Sequence, residues 1–349
     1  MVTRVNGGCA IRKLLRVVFV VGLVALAASP ARAESSLTNV SYDPTRELYK
    51  KVDPLFAEEW KQKTGETVRV SSLHGGSGAQ AKAVIDGLDA DVVSLALAYD
   101  IDLIANKTGR IAANWRTRLP NNSSPYTSAI VFLVRKGNPK QIKDWDDLTR
   151  SEVSVVTPSP KTSGGARWNY LAAWAYGAKK YGGDELKTKD FIREIYRNVA
   201  VQDKGARSAT ISFTKKESGD VLVAWENEAL LLASMRPDKF EIVIPSLTIR
   251  AEPVVAIVDK NVDVKGNRKI AEAYLHFLYE PKVQKILAEN FYRPSNPDLV
   301  PDELLKPFAK IETVTVDAAF GGWTAAQKKH FAAGGTFEEI ELRNATSLK

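Results

Sequence analysis

Thiol chemistry is nearly absent from this sequence. Cys9 is the only cysteine, which excludes a disulfide within the chain and a cysteine-ligated metal cluster. Histidine is scarce too. His74, His276 and His330 are the full set, and no Ser–His–acid constellation stands out around them. The longest apolar run, Val17 to Ala28, falls short of the roughly 18–20 residues that span a bilayer. There is no low-complexity tract, no long linker and no convincing internal repeat, so nothing suggests a solenoid or a disordered scaffold. A dense Lys/Arg stripe of the kind that binds nucleic acid is also missing.

The first 33 residues differ from the rest. Arg4, Arg12, Lys13 and Arg16 precede the apolar run, and Ala31-Arg32-Ala33 follows it. A basic start, a short apolar centre and a small-x-small end are the pattern of a secretory signal peptide over 1–33. The exported chain would begin near Glu34. Cys9 lies before the apolar run, so it leaves with the signal and cannot be a lipidated cysteine at the cleavage point. Together with Arg32, the segment holds five basic residues and no acid, so its removal lowers the formal charge from +8 to +3. What remains is a thiol-free chain suited to an oxidising compartment.

After the signal, strand and helix patterns alternate. "TNVSYD" (38–43), "TVRVSSL" (67–73) and "ADVVSLAL" (90–97) read as strands. The helical pattern after Thr45 closes at Gly65 and should break or restart near Pro54. A second helix follows the glycine loop at 74–78. Further strands are expected at 128–139, 154–160, 220–225, 240–245 and 252–260, with helices at 165–182 and 226–235. A helical stretch over 269–290 should break at Pro281. This βαβ rhythm implies largely parallel sheets covered by helices. The chain is long enough for two lobes of similar size.

Three small-residue loops stand between a strand and a helix. "LHGGSGAQ" contains G-x-G-x-x-A, as a dinucleotide fingerprint would, with Asp100 as a candidate ribose acid. Its His74-Gly75-Gly76 resembles the oxyanion segment of esterases, although Ser77 is not in a G-x-S-x-G elbow. It also fits a helix N-terminus facing an anion, or a plain tight turn with a serine cap. "SPKTSGGARW" (159–168) and "DKGARSAT" (203–210) are the other two, and they share Gly-Ala-Arg at 165–167 and 205–207. Three helix starts that converge would bind an oxyanion through N–H donors and positive dipole ends. Trp225 ends the strand "DVLVAW", where open parallel sheets place ligands. Its indole N–H can only donate, though core packing is the simpler account of a lone tryptophan there.

Taken together, "NVSYDPTRELY", "HGGSG", "DVVSLALAYD", "PYTSAIVFLVRKGNPKQI", "PKTSGGARWNYLAAW", "GDVLVAWENEALL", "FGGW" and "GGTFEEI" resemble the periplasmic sulfate-binding proteins of bacterial sulfate ABC importers. The likeness runs from about Asn39 to Ile340. The resemblance implies a two-lobed, type II periplasmic binding protein fold with the ligand in the cleft. It implies sulfate held by the backbone N–H of Ser77, the hydroxyl and N–H of Ser163, the N–H groups of Gly164, Gly165 and Ala206, and the indole of Trp225. Behind these, it implies that Arg207 pairs with a carboxylate, either Asp43 or Asp100. Arg167, on a helix taken as amphipathic, is expected to be solvated. "GARSAT" departs from the glycine-containing run expected after "GAR". In the related thiosulfate binders "SGNAR" and Ser-Phe-Glu are expected where this chain has Gly165 and Trp225. The chain therefore leans to the sulfate branch, with thiosulfate cross-reactivity.

The lobes are expected at 34–118 plus 248–349 and at 119–247. The partners implied are sulfate or thiosulfate and an inner-membrane ABC permease, with no nucleic acid, no cofactor and no metal. The protein is expected to be a periplasmic monomer and not an enzyme. The competing class is a secreted hydrolase that uses the His74 loop as an oxyanion hole.

Overall fold

The computed structural model describes residues 35–347; the expected signal peptide lies outside them. The first sheet is built from β1 (Ser35–Tyr42), β2 (Val68–Gly75), β3 (Val92–Leu95) and β10 (Val254–Ile257), in the order β10-β3-β1-β2. β1 runs parallel to β2 from Ser35↔Val68 to Tyr42↔Gly75 and parallel to β3 on its other side, and β10 closes the edge antiparallel to β3. β3 is buried along its whole length, as expected of a parallel strand covered on both faces.

The helix Arg46–Thr64 runs unbroken through Pro54 and stops at Gly65, whose φ of 74° is left-handed. The sequence pattern pointed to a break at this proline. The helix survives because Leu48, Tyr49, Val52, Phe56 and Trp60 form one buried stripe on both sides of Pro54, and Phe56 packs edge-on against Tyr274 and Phe277. Each large apolar side chain contributes about 1.5–3 kcal/mol on burial, enough to outweigh the roughly 3 kcal/mol cost of an interior proline. The break at Pro281 does occur: helices Arg268–Phe277 and Pro281–Glu289 are separate, with Pro281 in the first turn of the second.

The second sheet is mixed. Its order is β12-β9-β4-β7-β5-β6, with β4 at Tyr126–Arg135, β5 at Val155–Pro158, β6 at Val199–Asp203, β7 at Val221–Trp225, β9 at Thr248–Ala251 and β12 at Thr313–Val314. β8 (Phe240–Val243) and β11 (Arg293–Pro294) also pair with β4. β5 is parallel to β6 and β7, but β4 is antiparallel to β7, β8, β9 and β11. The expectation of a mostly parallel second sheet fails at β4, because the chain enters this strand at the end where β7 and β9 finish. β9, β11 and β12 all belong to this sheet. Hydrogen-bonded pairing sets membership here, and these strands pair with β4 or with each other.

The chain passes between the sheets at three places that lie side by side. The start of β4 pairs with β11 at Tyr126 and Thr127 and with the end of β9 at Ser128. Two of these crossings carry non-glycine residues with left-handed backbone: Asn121, Asn122 and Ser123 (φ 53°, 54° and 62°) before β4, and Phe291 (φ 62°) before β11.

Candidate functional site

All three glycine loops converge with Trp225 where the two sheets meet. β2 ends at Gly75, alongside Tyr42 of β1, and the helix Ser77–Ile85 starts two residues later. Gly76 has an ordinary φ of −59°, so a positive φ is not why glycine is there. The reason is room: a Cβ at Gly76 would lie 2.9 Å from the carbonyl oxygen of Thr162 in the second loop. A Cβ at Gly164 would lie 2.9 Å from Cβ of Ser77. The first loop thus touches the second directly.

The second loop leads into the helix Gly164–Lys180, capped by Ser163, whose Oγ accepts from the Ala166 N–H at 3.3 Å. Because this oxygen accepts inside the cap, its own hydrogen remains available to donate outward. The N–H groups of Gly164 and Gly165 belong to the first turn, where no carbonyl of the helix can reach them. The third loop leads into the helix Ala206–Thr214, and its Lys204 carbonyl accepts from the Thr162 hydroxyl at 2.7 Å.

Trp225 closes the set. It is the last residue of β7 and precedes the helix Glu226–Met235. Its ring is 1% exposed, packed against Tyr42 and Trp168. The indole Nε1 is buried without a hydrogen-bond partner, a condition that costs about 1–3 kcal/mol if nothing accepts from it. A Cβ at Gly165 would stand 2.5 Å from that nitrogen. Gly165 therefore leaves the indole donor uncovered.

The charged residues around the site are arranged differently from the sequence expectation. Asp100 is buried and accepts from the Ser77 hydroxyl at 2.5 Å, while the Ser77 oxygen accepts from the Ala96 N–H at 3.0 Å. This leaves only the backbone N–H of Ser77 for a ligand. Burial pushes the Asp100 carboxyl above its usual range, opposed by Arg167 and by the Ser77 hydroxyl. It is Arg167, with 13% of its side chain exposed, that stands 3.9 Å from Asp100. The helix carrying Arg167 is buried on nearly every face, so the solvated position expected for this arginine does not exist. Arg207 is exposed and, among the described residues, pairs with neither Asp43 nor Asp100. Its charge acts instead on Glu228, whose buried carboxyl is pushed up to about 7 by desolvation despite that attraction. Asp43 pairs with Arg46 at 3.3 Å and lies against Gly205, 2.9 Å from where a Cβ would be.

These contacts also remove the two enzyme-like templates. His74 faces Thr45, Nδ1 to Oγ1 at 3.3 Å, and Ser77 is committed to Asp100, so the loop holds no Ser–His pair. Asp100 is likewise not free to serve a ribose. Sequence reasoning missed Thr162, Trp168 and Ser208. Trp168 donates its indole N–H to the Ala96 carbonyl at 2.9 Å and so binds the second loop's helix to the first sheet. The one signal for Thr162 was its place directly before Ser163.

Comparison with known proteins gives the family of the chain. The model of the bacterial extracellular solute-binding protein family matches residues 45–293. The chain is 56% identical over 320 residues to a sulfate-binding protein of Escherichia coli (strain K12), covering 91% of this chain and 97% of that one. It is 48% identical to a thiosulfate-binding protein of Pseudomonas aeruginosa, covering 90% and 94%. Among solved structures it is similar to the sulfate-binding protein of Mycobacterium tuberculosis H37Rv, with a TM-score of 0.76 and 30% identity over 84% of this chain and 99% of that one. The chain belongs to the bacterial extracellular solute-binding proteins, in the branch that contains the sulfate- and thiosulfate-binding proteins.

Proposed function

We propose that this protein is an exported receptor that captures sulfate between its two lobes and delivers it to an ABC permease of the inner membrane. The observation that carries the reading is the buried, unpartnered Nε1 of Trp225 facing Gly165 amid three helix N-termini. The donors are the N–H groups of Ser77, Gly164, Gly165 and Ala206, the N–H and hydroxyl of Ser163, and the Trp225 indole. The first lobe contains the strands β1, β2, β3 and β10; the second contains the β4-centred sheet and the chain from Arg293 onward. Ser77 then comes from one lobe and the other donors from the second, so an anion bridges them and favours closure. The protein works as a periplasmic monomer and catalyses nothing.

A site made only of donors also explains selectivity. Sulfate at neutral pH carries no proton and only accepts. Hydrogen phosphate brings an O–H that would meet an N–H, a buried mismatch of about 1–3 kcal/mol or more. Asp100 does not relieve this, because it already accepts from the Ser77 hydroxyl. Thiosulfate is the second reading, since relatives at 48% and 44% identity are named thiosulfate-binding proteins. Calorimetric titration of the chain from Glu34 with sulfate, thiosulfate, phosphate and molybdate tests the proposal. Tight sulfate binding with weak phosphate binding is expected; a chain that binds none of these oxyanions is not such a receptor.

A further inference from the structure

The third loop offers a single donor, the N–H of Ala206, from a glycine-containing turn. In a planar trans peptide the N–H and C=O point in opposite directions. Whatever holds the Gly205 carbonyl therefore sets the direction of the Ala206 N–H. That carbonyl accepts from the Ser208 hydroxyl at 2.9 Å and from the Ala209 N–H at 3.1 Å. The Ser208 oxygen also accepts from the Gly205 N–H at 3.1 Å. The preceding peptide is held at its other end, where the Thr162 hydroxyl donates to the Lys204 carbonyl at 2.7 Å. Two successive peptide planes before Ala206 are thus fixed by two hydroxyls, one from the loop's own helix and one from the second loop. Thr162 reaches the first loop as well, through its carbonyl against Gly76.

We propose that Ser208 and Thr162 are positioning residues that aim the Ala206 N–H at the bound anion and tie the third loop to the second. The inference rests on the reading of Ala206 as a sulfate donor. Neither side chain needs to touch the anion. Without them, the Ala209 N–H still holds the Gly205 carbonyl, so the loop folds but the peptide rocks about one bond. The effect is then partial, in keeping with the loss of single hydrogen bonds.

The test is sulfate titration of the exported chain and its Ser208→Ala, Thr162→Val, Thr162→Ser and Ser208→Thr variants, with the amide resonance of Ala206 followed by NMR. Ser208→Ala and Thr162→Val should each weaken sulfate about three- to tenfold. Thr162→Ser and Ser208→Thr, which keep the hydroxyl, should restore affinity to within about twofold. The sulfate-induced shift of the Ala206 amide should shrink in the two hydroxyl-deleted variants and return in the conservative ones. Should both deletions bind sulfate as the parent does, with the Ala206 shift intact, the positioning role is wrong although the receptor reading stands. Equal weakening in the conservative variants also overturns it. A parent chain that does not bind sulfate overturns the receptor reading and this inference together.

Discussion

Gly165 and Trp225 should behave as one unit, and Gly165→Ala exposes the coupling. The new methyl group would lie 2.5 Å from the indole Nε1, against an ordinary separation of about 3.5–4 Å between non-bonded heavy atoms. One of the two must move by about 1 Å. The helix Gly164–Lys180 is fixed by its buried length and by the Trp168 bond to Ala96, so the indole is displaced and its donor is lost to the anion. A hydrogen bond to a charged group is worth about 1.5–3 kcal/mol, which predicts sulfate binding weaker by about 10- to 150-fold. Thermal stability should fall as well, because displacing the packed indole costs about 1–3 kcal/mol, more than the helix preference of alanine over glycine returns in the first turn. Trp225→Phe removes the same donor and should weaken binding by a similar factor. In the double variant the phenyl ring has no atom at the Nε1 position, so the added methyl group keeps only ordinary contacts, such as the 3.5 Å to Ser163 Oγ, and the second loss disappears. Calorimetry of the four proteins gives the cycle. Sulfate affinity in Gly165→Ala equal to the parent's, or two losses that simply add, would refute the reasoning.

Other consequences follow from burial and backbone geometry. His330 is 1% exposed and desolvation pushes its imidazole down to about 3. Unfolded, it takes a proton near pH 6.5, so stability falls as pH drops below 6.5, by up to about 5 kcal/mol at the folded pKa; His330→Phe should flatten that decline in denaturant titrations between pH 6.5 and 5. Asp53 acts in the opposite direction. Burial raises its carboxyl to about 6, so its folded form gains stability as pH falls through 6, and Asp53→Asn should steepen the acid decline over the same window. At the crossing before β4, Asn122 has a left-handed backbone (φ 54°, ψ 41°) while the loops of the two sheets are in contact. Glycine carries no Cβ penalty there. Asn122→Gly should tighten sulfate about two- to fivefold through slower release in stopped-flow fluorescence; unchanged affinity would mean that the turn keeps its shape when the lobes separate.

Local rules located most elements because they act over a few residues. Gly65 ends its helix and Pro281 starts one for reasons readable within a turn. The three loops were legible too, since small residues between a strand and a helix mark backbone approach. Long-range placement was not. The antiparallel pairing of β4 and the membership of β9 and β12 depend on which way the chain crosses between sheets, and no residue in those strands records it. The same holds for charge. Arg167 and Arg207 sit in matching Gly-Ala-Arg contexts, yet one is half-buried beside Asp100 and the other is exposed. Their helices differ in how many faces are covered, a property of the neighbours rather than of the tripeptide. Pro54 shows tertiary burial overriding a local breaker.

The central claim is that the buried Trp225 indole donates to sulfate, and its N–H resonance reports this directly. Of the seven tryptophans, Trp115, Trp145 and Trp168 already donate to protein oxygens. Indole-¹⁵N-labelled protein, with Trp225 assigned through Trp225→Phe, should show the Trp225 N–H moving strongly downfield on addition of sulfate and not of phosphate. A Trp225 N–H that stays put while calorimetry records sulfate binding would contradict the account.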